Sequence, residues 1–375
     1  MDMNPNKRQF SFDQSFDVKT KKLKRISDEE NLSITYFEHL SNELIYEIFD
    51  YLDAYDIHKA FSKLNIRFHH LLSFSSFPLK INLSQQSRTT LEDCCRNVII
   101  PNKHRILSLH LHGDSLIDNF FTYCNVDSSF NRLESVILNG LSDYKLLMIL
   151  FYLNSLPRLF SLTIELEDYY NNISDIYQII FRLPCLRFYK MSLLDSLETN
   201  IFIPISINEK FSTIEHLVLN HDCDLNELTS ILSHTPHLRH LTCQNLVEMD
   251  EIAKNEIQLK LPNLTHVSFV RCNVEFDGLE NFIKKISSQL QVWYLNTYWK
   301  TAYLDADRWR RLIKKHIPHL CKFHFNHYMT TDDGDIIPNC EAINQFTSIF
   351  WTERQWFFEL KDELDKFIYS IHSYR

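Results

Sequence analysis

Three histidines, His216, His240 and His266, recur along the chain at intervals of 24 and 26 residues. Imidazole nitrogens bind zinc, so three that converge could form a metal site. Neutral imidazoles near a partner could also make binding sensitive to pH. The sequence offers no acidic fourth ligand and no second shell of hydrogen-bonding groups around these histidines. We therefore interpret them as part of a half-polar binding surface.

A second group, His110, His112 and Asp114 in HLHGD, is similar to the HxHxD motif of some metallohydrolases, in which a metal activates water. In that family a further histidine normally follows the aspartate, but Ser115 stands there in this chain. HExxH and CxxC motifs are absent, and no pattern assembles a nucleophile, a base and oxyanion donors. The sequence thus predicts a non-catalytic protein with no bound metal and no cofactor.

The composition excludes further classes of protein. The chain has 4 glycines in 375 residues, and no two of them lie within six residues of each other. It therefore cannot contain the glycine-rich loop of a dinucleotide-binding site, a P-loop, or the GxSxG motif of hydrolases. A net charge of −9 disfavours binding to nucleic acid. The longest apolar run, at 146–153, is too short to span a membrane. Nine cysteines without CxxC, and no secretory leader, indicate a reduced intracellular protein.

The histidines belong to a repeated pattern, apolar-x-x-apolar-x-apolar, that occurs nine times. Proline stands two residues before the first apolar position in five copies, where it ends the preceding helix. A strand and an amphipathic helix in every 26 or so residues indicate an α/β fold, a leucine-rich-repeat solenoid with a parallel sheet on its concave side. The copies begin at Ile106, Leu133, Leu159, Leu186, Ile214, Leu238, Leu264, Leu290 and Leu320.

Side chains between the apolar positions of each strand point to solvent, and equivalent positions on adjacent strands lie about 4.8 Å apart. The three histidines should therefore form a row on the exposed face. Other polar and aromatic residues of that face are further candidates for contact with a protein substrate. The substrate-binding candidates are Lys190, His216, His240, His266, Tyr294 and His324.

Residues 1–33 are polar and lack periodicity, which predicts a disordered tail because they bury too little surface to offset the entropy of ordering. Two basic clusters between Lys7 and Arg25 resemble a bipartite nuclear import signal. We therefore expect a cytoplasmic location, a nuclear one, or both.

Three short helices are predicted between residues 37 and 72, where apolar residues have helical spacing and Ser41, Asp53 and Asn65 are N-cap candidates. This segment resembles an F-box in its L-x-x-x-L-x-x-x-I-F-x-x-L-D-x-x-D pattern, with Ser41 in place of the usual proline and Phe68 where tryptophan is common. The resemblance implies a three-helix module that docks on a Skp-type adaptor. The adaptor-binding candidates are Leu40, Leu44, Ile45, Ile48, Phe49, Leu52, Ile57, Leu64 and Phe68.

Together these features predict a disordered tail at 1–33, an F-box at 34–80, leucine-rich repeats at 81–330 and an aromatic C-terminal cap at 331–375. The combination resembles F-box/leucine-rich-repeat proteins. It implies the substrate-recognition subunit of a Skp–cullin–F-box ubiquitin ligase, with an adaptor, a cullin scaffold and an unknown protein substrate as partners, and no membrane or nucleic acid. The alternative is a leucine-rich-repeat interaction scaffold without ligase association.

Overall fold

A computed structural model describes residues 37–74, 76–84, 88–167, 173–193, 201, 203, 211–248, 259, 261–286, 289–330, 345–363 and 366–373. The tail at 1–33 and the basic clusters between Lys7 and Arg25 lie outside these residues. The chain divides into two compact units, residues 1–45 and 46–375, and the boundary falls inside the first α-helix.

The described part of the first unit is a 3₁₀ turn, Phe37–His39, followed by the start of helix α1, Asn42–Phe49. As predicted, Ser41 precedes the helix and its hydroxyl accepts a hydrogen bond from the Leu44 N–H at 3.4 Å.

Helices α2, Ala54–Phe61, and α3, Ile66–Phe74, begin at the predicted caps. The Asp53 carboxylate accepts the Tyr55 N–H at 2.7 Å, and the Asn65 side chain accepts the Phe68 N–H at 3.1 Å. Ala60 and Leu64 are exposed. The buried face of α2 is formed by Ala54 and Ile57, and Leu64 lies in the turn after the helix ends.

A mostly parallel sheet of twelve strands forms the body of the second unit, and helices alternate with many of its strands. Ten parallel strands follow one another in chain order, and the last two are antiparallel. The strands are β1 Leu79–Ser84, β2 Ile106–His112, β3 Ser135–Leu141, β4 Ser161–Leu166, β5 Phe188–Leu193, β6 His216–Asp224, β7 His240–Val247, β8 His266–Cys272, β9 Val292–Tyr298, β10 Lys322–Thr330, β11 Trp356–Glu363 and β12 Lys366–Ser373.

The repeat pattern correctly predicted β2 to β10, because its second and third apolar residues lie on the buried side of each strand. They pack against the apolar faces of the intervening helices, as Trp293 of β9 does against Trp309, with ring centroids 5.5 Å apart. The remaining helices are α4 Arg88–Cys94, α5 Asp114–Tyr123, α6 Asp143–Leu153, α7 Ile173–Phe181, α8 Leu225–Ser233, α9 Phe276–Lys285, α10 Ala306–His316 and α11 Ile349–Glu353.

The two ends of the sheet were not predicted as strands. At the first end, β1 is tied to the helices, because Asp53 accepts the Asn82 N–H at 2.5 Å and Lys80 donates to the Asp50 carbonyl at 3.1 Å. At the other end, β12 pairs with the edge of β10, and Trp351 and Trp356 are buried beside it.

Candidate functional site

His216, His240 and His266, hereafter the histidine row, begin strands β6, β7 and β8 and are in direct register. Their rings stack face to face, with centroids 4.2 Å apart at both steps. All three are half-buried, because each alternates with fully buried leucine or valine in its strand. The predicted row on the exposed face of the sheet is therefore confirmed.

The pKa of His240 is lowered to about 4, because burial penalises the imidazolium and because His216, His266 and Arg239 lie nearby. The pKa of His266 is also lowered, by burial and by the neighbouring His216 and Lys322. The lowered pKa values favour the uncharged form of both rings, so the rings can stack on their neighbours without repulsion between cations.

The other three substrate-binding candidates lie two residues further along their strands than the register of the histidine row, and therefore on the same face of the sheet. Tyr294 and His324 are in register on β9 and β10, and their rings stack with centroids 4.5 Å apart. Lys190 is on β5, in register with Val218 of β6, so three strands separate it from Tyr294. The structure thus brings the candidates together as two ring stacks and a separate lysine.

Charged residues line the start of the same strands. Glu215, immediately before β6, lies between two arginines: its carboxylate is 3.9 Å from Nε of Arg187 and 3.2 Å from Nε of Arg239. These residues line a cleft of about 310 Å³, together with Phe160, Pro184, Cys185, Thr213, His237 and Asn263. Arg187 also lies over the Phe160 ring, 5.5 Å from its centroid. The sequence interpretation missed this cleft, although each arginine directly follows the first leucine of a repeat.

A polar row that the sequence interpretation missed runs parallel to the histidines. Asn296 of β9 and Asn326 of β10 are in register, and the Asn326 amide donates to the Asn296 side chain at 2.9 Å. Ser370 of β12 donates to Asn326 at 2.9 Å. Four repeats place asparagine directly after the third apolar residue, at 139, 220, 296 and 326, and that spacing was the available signal.

The HLHGD residues have structural partners. Asp114 begins α5, where its carboxylate accepts the Ser142 N–H at 3.0 Å and lies 2.8 Å from the Lys145 ammonium. Burial alone would raise the pKa of Asp114, but the hydrogen bonds from Lys145 and Ser142 outweigh it and lower the pKa. His110 lies 3.3 Å from the Asn139 amide. Within the residues that the structure describes, no cluster of three or more histidine, cysteine or acidic side chains could hold a metal ion.

The adaptor-binding candidates differ in their exposure. Leu44 and Leu64 are 46% and 47% exposed, whereas the buried candidates belong to the packing of the helices themselves. Two residues outside the candidate set, Tyr51 at 91% and Ile66 at 77%, are the more exposed apolar side chains here. Buried are Ile45, Phe49, Ile57 and Phe68, and half-buried are Leu40, Ile48 and Leu52.

No protein-family model matches this chain, and a search of the curated proteins found no match to it. Among the helices of the described residues, none has the length and apolar character needed to cross a bilayer.

Proposed function

We propose that this protein is the substrate-recognition subunit of a Skp–cullin–F-box ubiquitin ligase. In this proposal α1 to α3 form the F-box that docks on the Skp adaptor, and the strand–helix array is a leucine-rich-repeat solenoid that holds a protein substrate. The observation that carries it is the exposure of Tyr51, in the turn after α1, and of Ile66, at the start of α3, in a small set of capped helices that precede the array. Exposed apolar side chains on helices are suited to burial against a partner.

The internal packing of the helices supports the use of exposed residues for docking. The Phe61 ring packs against Phe49 and Phe68, with centroids 5.1 and 5.3 Å apart, so these rings stabilise the helices. Tyr51, Leu64 and Ile66 remain exposed. Within the second unit, the proposal assigns contact with the adaptor to these three residues.

One set of contacts favours the alternative, an interaction scaffold whose helices cover the first edge of the sheet. Arg105, which directly precedes β2, donates to the Leu72 carbonyl at 2.6 Å and to the Phe77 carbonyl at 3.2 Å. Together with the bond from Asn82 to Asp53, these contacts hold the helices against the sheet. Contacts of this kind are expected of a terminal unit that covers the end of a repeat array.

The experiment measures binding of the full chain to a purified Skp adaptor by calorimetry. The proposal expects saturable binding that Tyr51→Asp/Ile66→Asp weakens about 100-fold, because both charges would enter an apolar interface. Ile349→Asp is the matched control, since Ile349 is 73% exposed in α11. Absence of binding by the folded wild type, or equal binding by the double variant, would reject the ligase proposal in favour of the scaffold.

A further inference from the structure

Cations lie near the histidine row, at the start of the same strands and on neighbouring strands. Arg187 and Arg239 immediately precede β5 and β7, and their side chains are 65% and 58% exposed. Lys190 lies on β5, and Lys322, which begins β10, is close enough to help lower the pKa of His266. We call Arg187, Lys190, Arg239 and Lys322 the cationic rim.

Acidic residues are placed differently on these strands. Glu215 lies between the two arginines. Glu165 and Asp222 stand near the C-terminal ends of β4 and β6, several residues along the strand from the histidine row. The region where these strands begin therefore carries positive charge in a chain whose net charge is −9. A local field of this sign attracts an anionic partner.

The centre of the surface suits uncharged groups. Phe188 and Val292 are in register with His216 and His266, so the row continues into an apolar residue on either side. The middle of the surface can thus contact apolar side chains, while the cations lie at its margin.

We propose that the histidine row and the cationic rim bind an extended, acidic segment of a protein, with its carboxylates on the rim and its apolar side chains on the row. This inference rests on the proposed function and deepens it, because it names the class of substrate segment. Nucleic acid, as a uniformly charged polymer without apolar side chains, would leave the Phe188–Val292 stripe unused.

Glu215 gives the inference a distinctive consequence. Its carboxylate lies nearest the Nε atom of both guanidinium groups, so their terminal amino groups are available to bind a partner. It also places a negative charge inside the cleft that the segment would approach. Replacing it with glutamine removes that repulsion, so Glu215→Gln should bind the acidic segment more tightly than the wild type does.

The experiment uses the full chain and two fluorescein-labelled peptides, (Glu-Ala-Asp-Leu)₃ and its amide counterpart (Gln-Ala-Asn-Leu)₃, in anisotropy titrations at pH 7.4. We expect the acidic peptide to bind at least about tenfold more tightly than the amide peptide. The triple substitution Arg187→Gln/Lys190→Gln/Arg239→Gln, hereafter the rim variant, should weaken binding of the acidic peptide about tenfold, since each exposed ion pair contributes modestly. Glu215→Gln should strengthen it about threefold.

A matched control removes three charges elsewhere. Lys285, Arg311 and Lys315 are exposed on α9 and α10, so Lys285→Gln/Arg311→Gln/Lys315→Gln should change binding less than about twofold. Equal binding of the two peptides, or equal weakening by the two triple variants, would overturn the inference. Tighter binding of a twelve-nucleotide oligothymidylate, lost in the rim variant, would assign the surface to nucleic acid instead.

The titrations need no Skp adaptor, so they can fail while adaptor binding succeeds. The rim variant should bind the adaptor as the wild type does, because its substitutions lie on β5 and beside β5 and β7 and leave α2 and α3 unchanged. Loss of peptide binding with intact adaptor binding therefore tests the substrate surface, and the reverse pattern tests the ligase proposal.

Discussion

At the scale of single residues, the stacking of the histidines in the sheet changes their protonation, because burial and neighbouring rings lower the pKa of His240 below that of a free histidine. The 4.2 Å ring separation follows from strand pairing, and it places His240 between two other imidazoles. Burial and these neighbours lower the pKa of His240 to about 4, below its ordinary value of 6.5. The unfolded chain therefore binds a proton in a pH range where the folded chain does not.

This difference predicts how stability depends on pH. Between about pH 6.5 and 4 the unfolded state takes up about one more proton at His240, so the free energy of unfolding falls as the pH falls through this range. His240→Gln should reduce that slope by up to about one proton, measured by denaturant unfolding at pH 7 and pH 5. The exposed His319 gives the control variant His319→Gln, and an unchanged slope in His240→Gln would contradict the prediction.

At the scale of secondary-structure elements, one carboxylate joins a helix to a strand. Asp53 accepts the Tyr55 N–H at the start of α2 and, with its other oxygen, the Asn82 N–H of β1. Asp53→Ala removes both bonds and should lower the free energy of unfolding by about 1–3 kcal/mol. Urea unfolding measures this loss, and Asp56→Ala, an exposed residue in the same helix, should cost far less.

A second prediction at this scale concerns the packing of α10 on the sheet. Trp309 is fully buried, donates from its indole to the Tyr303 carbonyl at 2.8 Å and contacts Phe276 at 4.7 Å between centroids. Trp309→Ala should therefore lower the free energy of unfolding by about 3–5 kcal/mol. Trp299 is 54% exposed, so Trp299→Ala should lose less than about 1 kcal/mol; similar losses in the two variants would refute this packing.

At the scale of the whole molecule, β11 and β12 complete the sheet. β12 pairs with six residues of β10, from Phe325 to Thr330, and would leave an open edge if it were removed. A chain that ends at residue 344 should therefore associate through β10 and lose solubility, because unpaired strand edges pair with other chains. Size-exclusion chromatography with light scattering measures this, and a monomeric truncated chain would contradict it.

The parts of the fold that could be predicted from the sequence depend on residues that are close together in the chain and that recur in every repeat. The spacing of apolar residues gave β2 to β10 and the histidine row, because every strand repeats the same alternation. β1 depends on Asp53, 29 residues earlier, and β11 on pairing with a strand that follows it. The charged cleft depends on Glu215 meeting arginines from both neighbouring repeats. A single sequence carries no direct signal for such long-range pairs.

The bond between Asp53 and Asn82 also sets a distance. It fixes α2 to β1, and the histidine row begins on β6, five strands further along the sheet. At about 4.8 Å for each strand, a group held by α2 and a segment bound at His216 are separated by about 24 Å along the sheet. Inserting or deleting one strand–helix repeat between β1 and β6 would change that separation by about 4.8 Å, one strand spacing. The number of repeats therefore sets the distance between α2 and the histidine row.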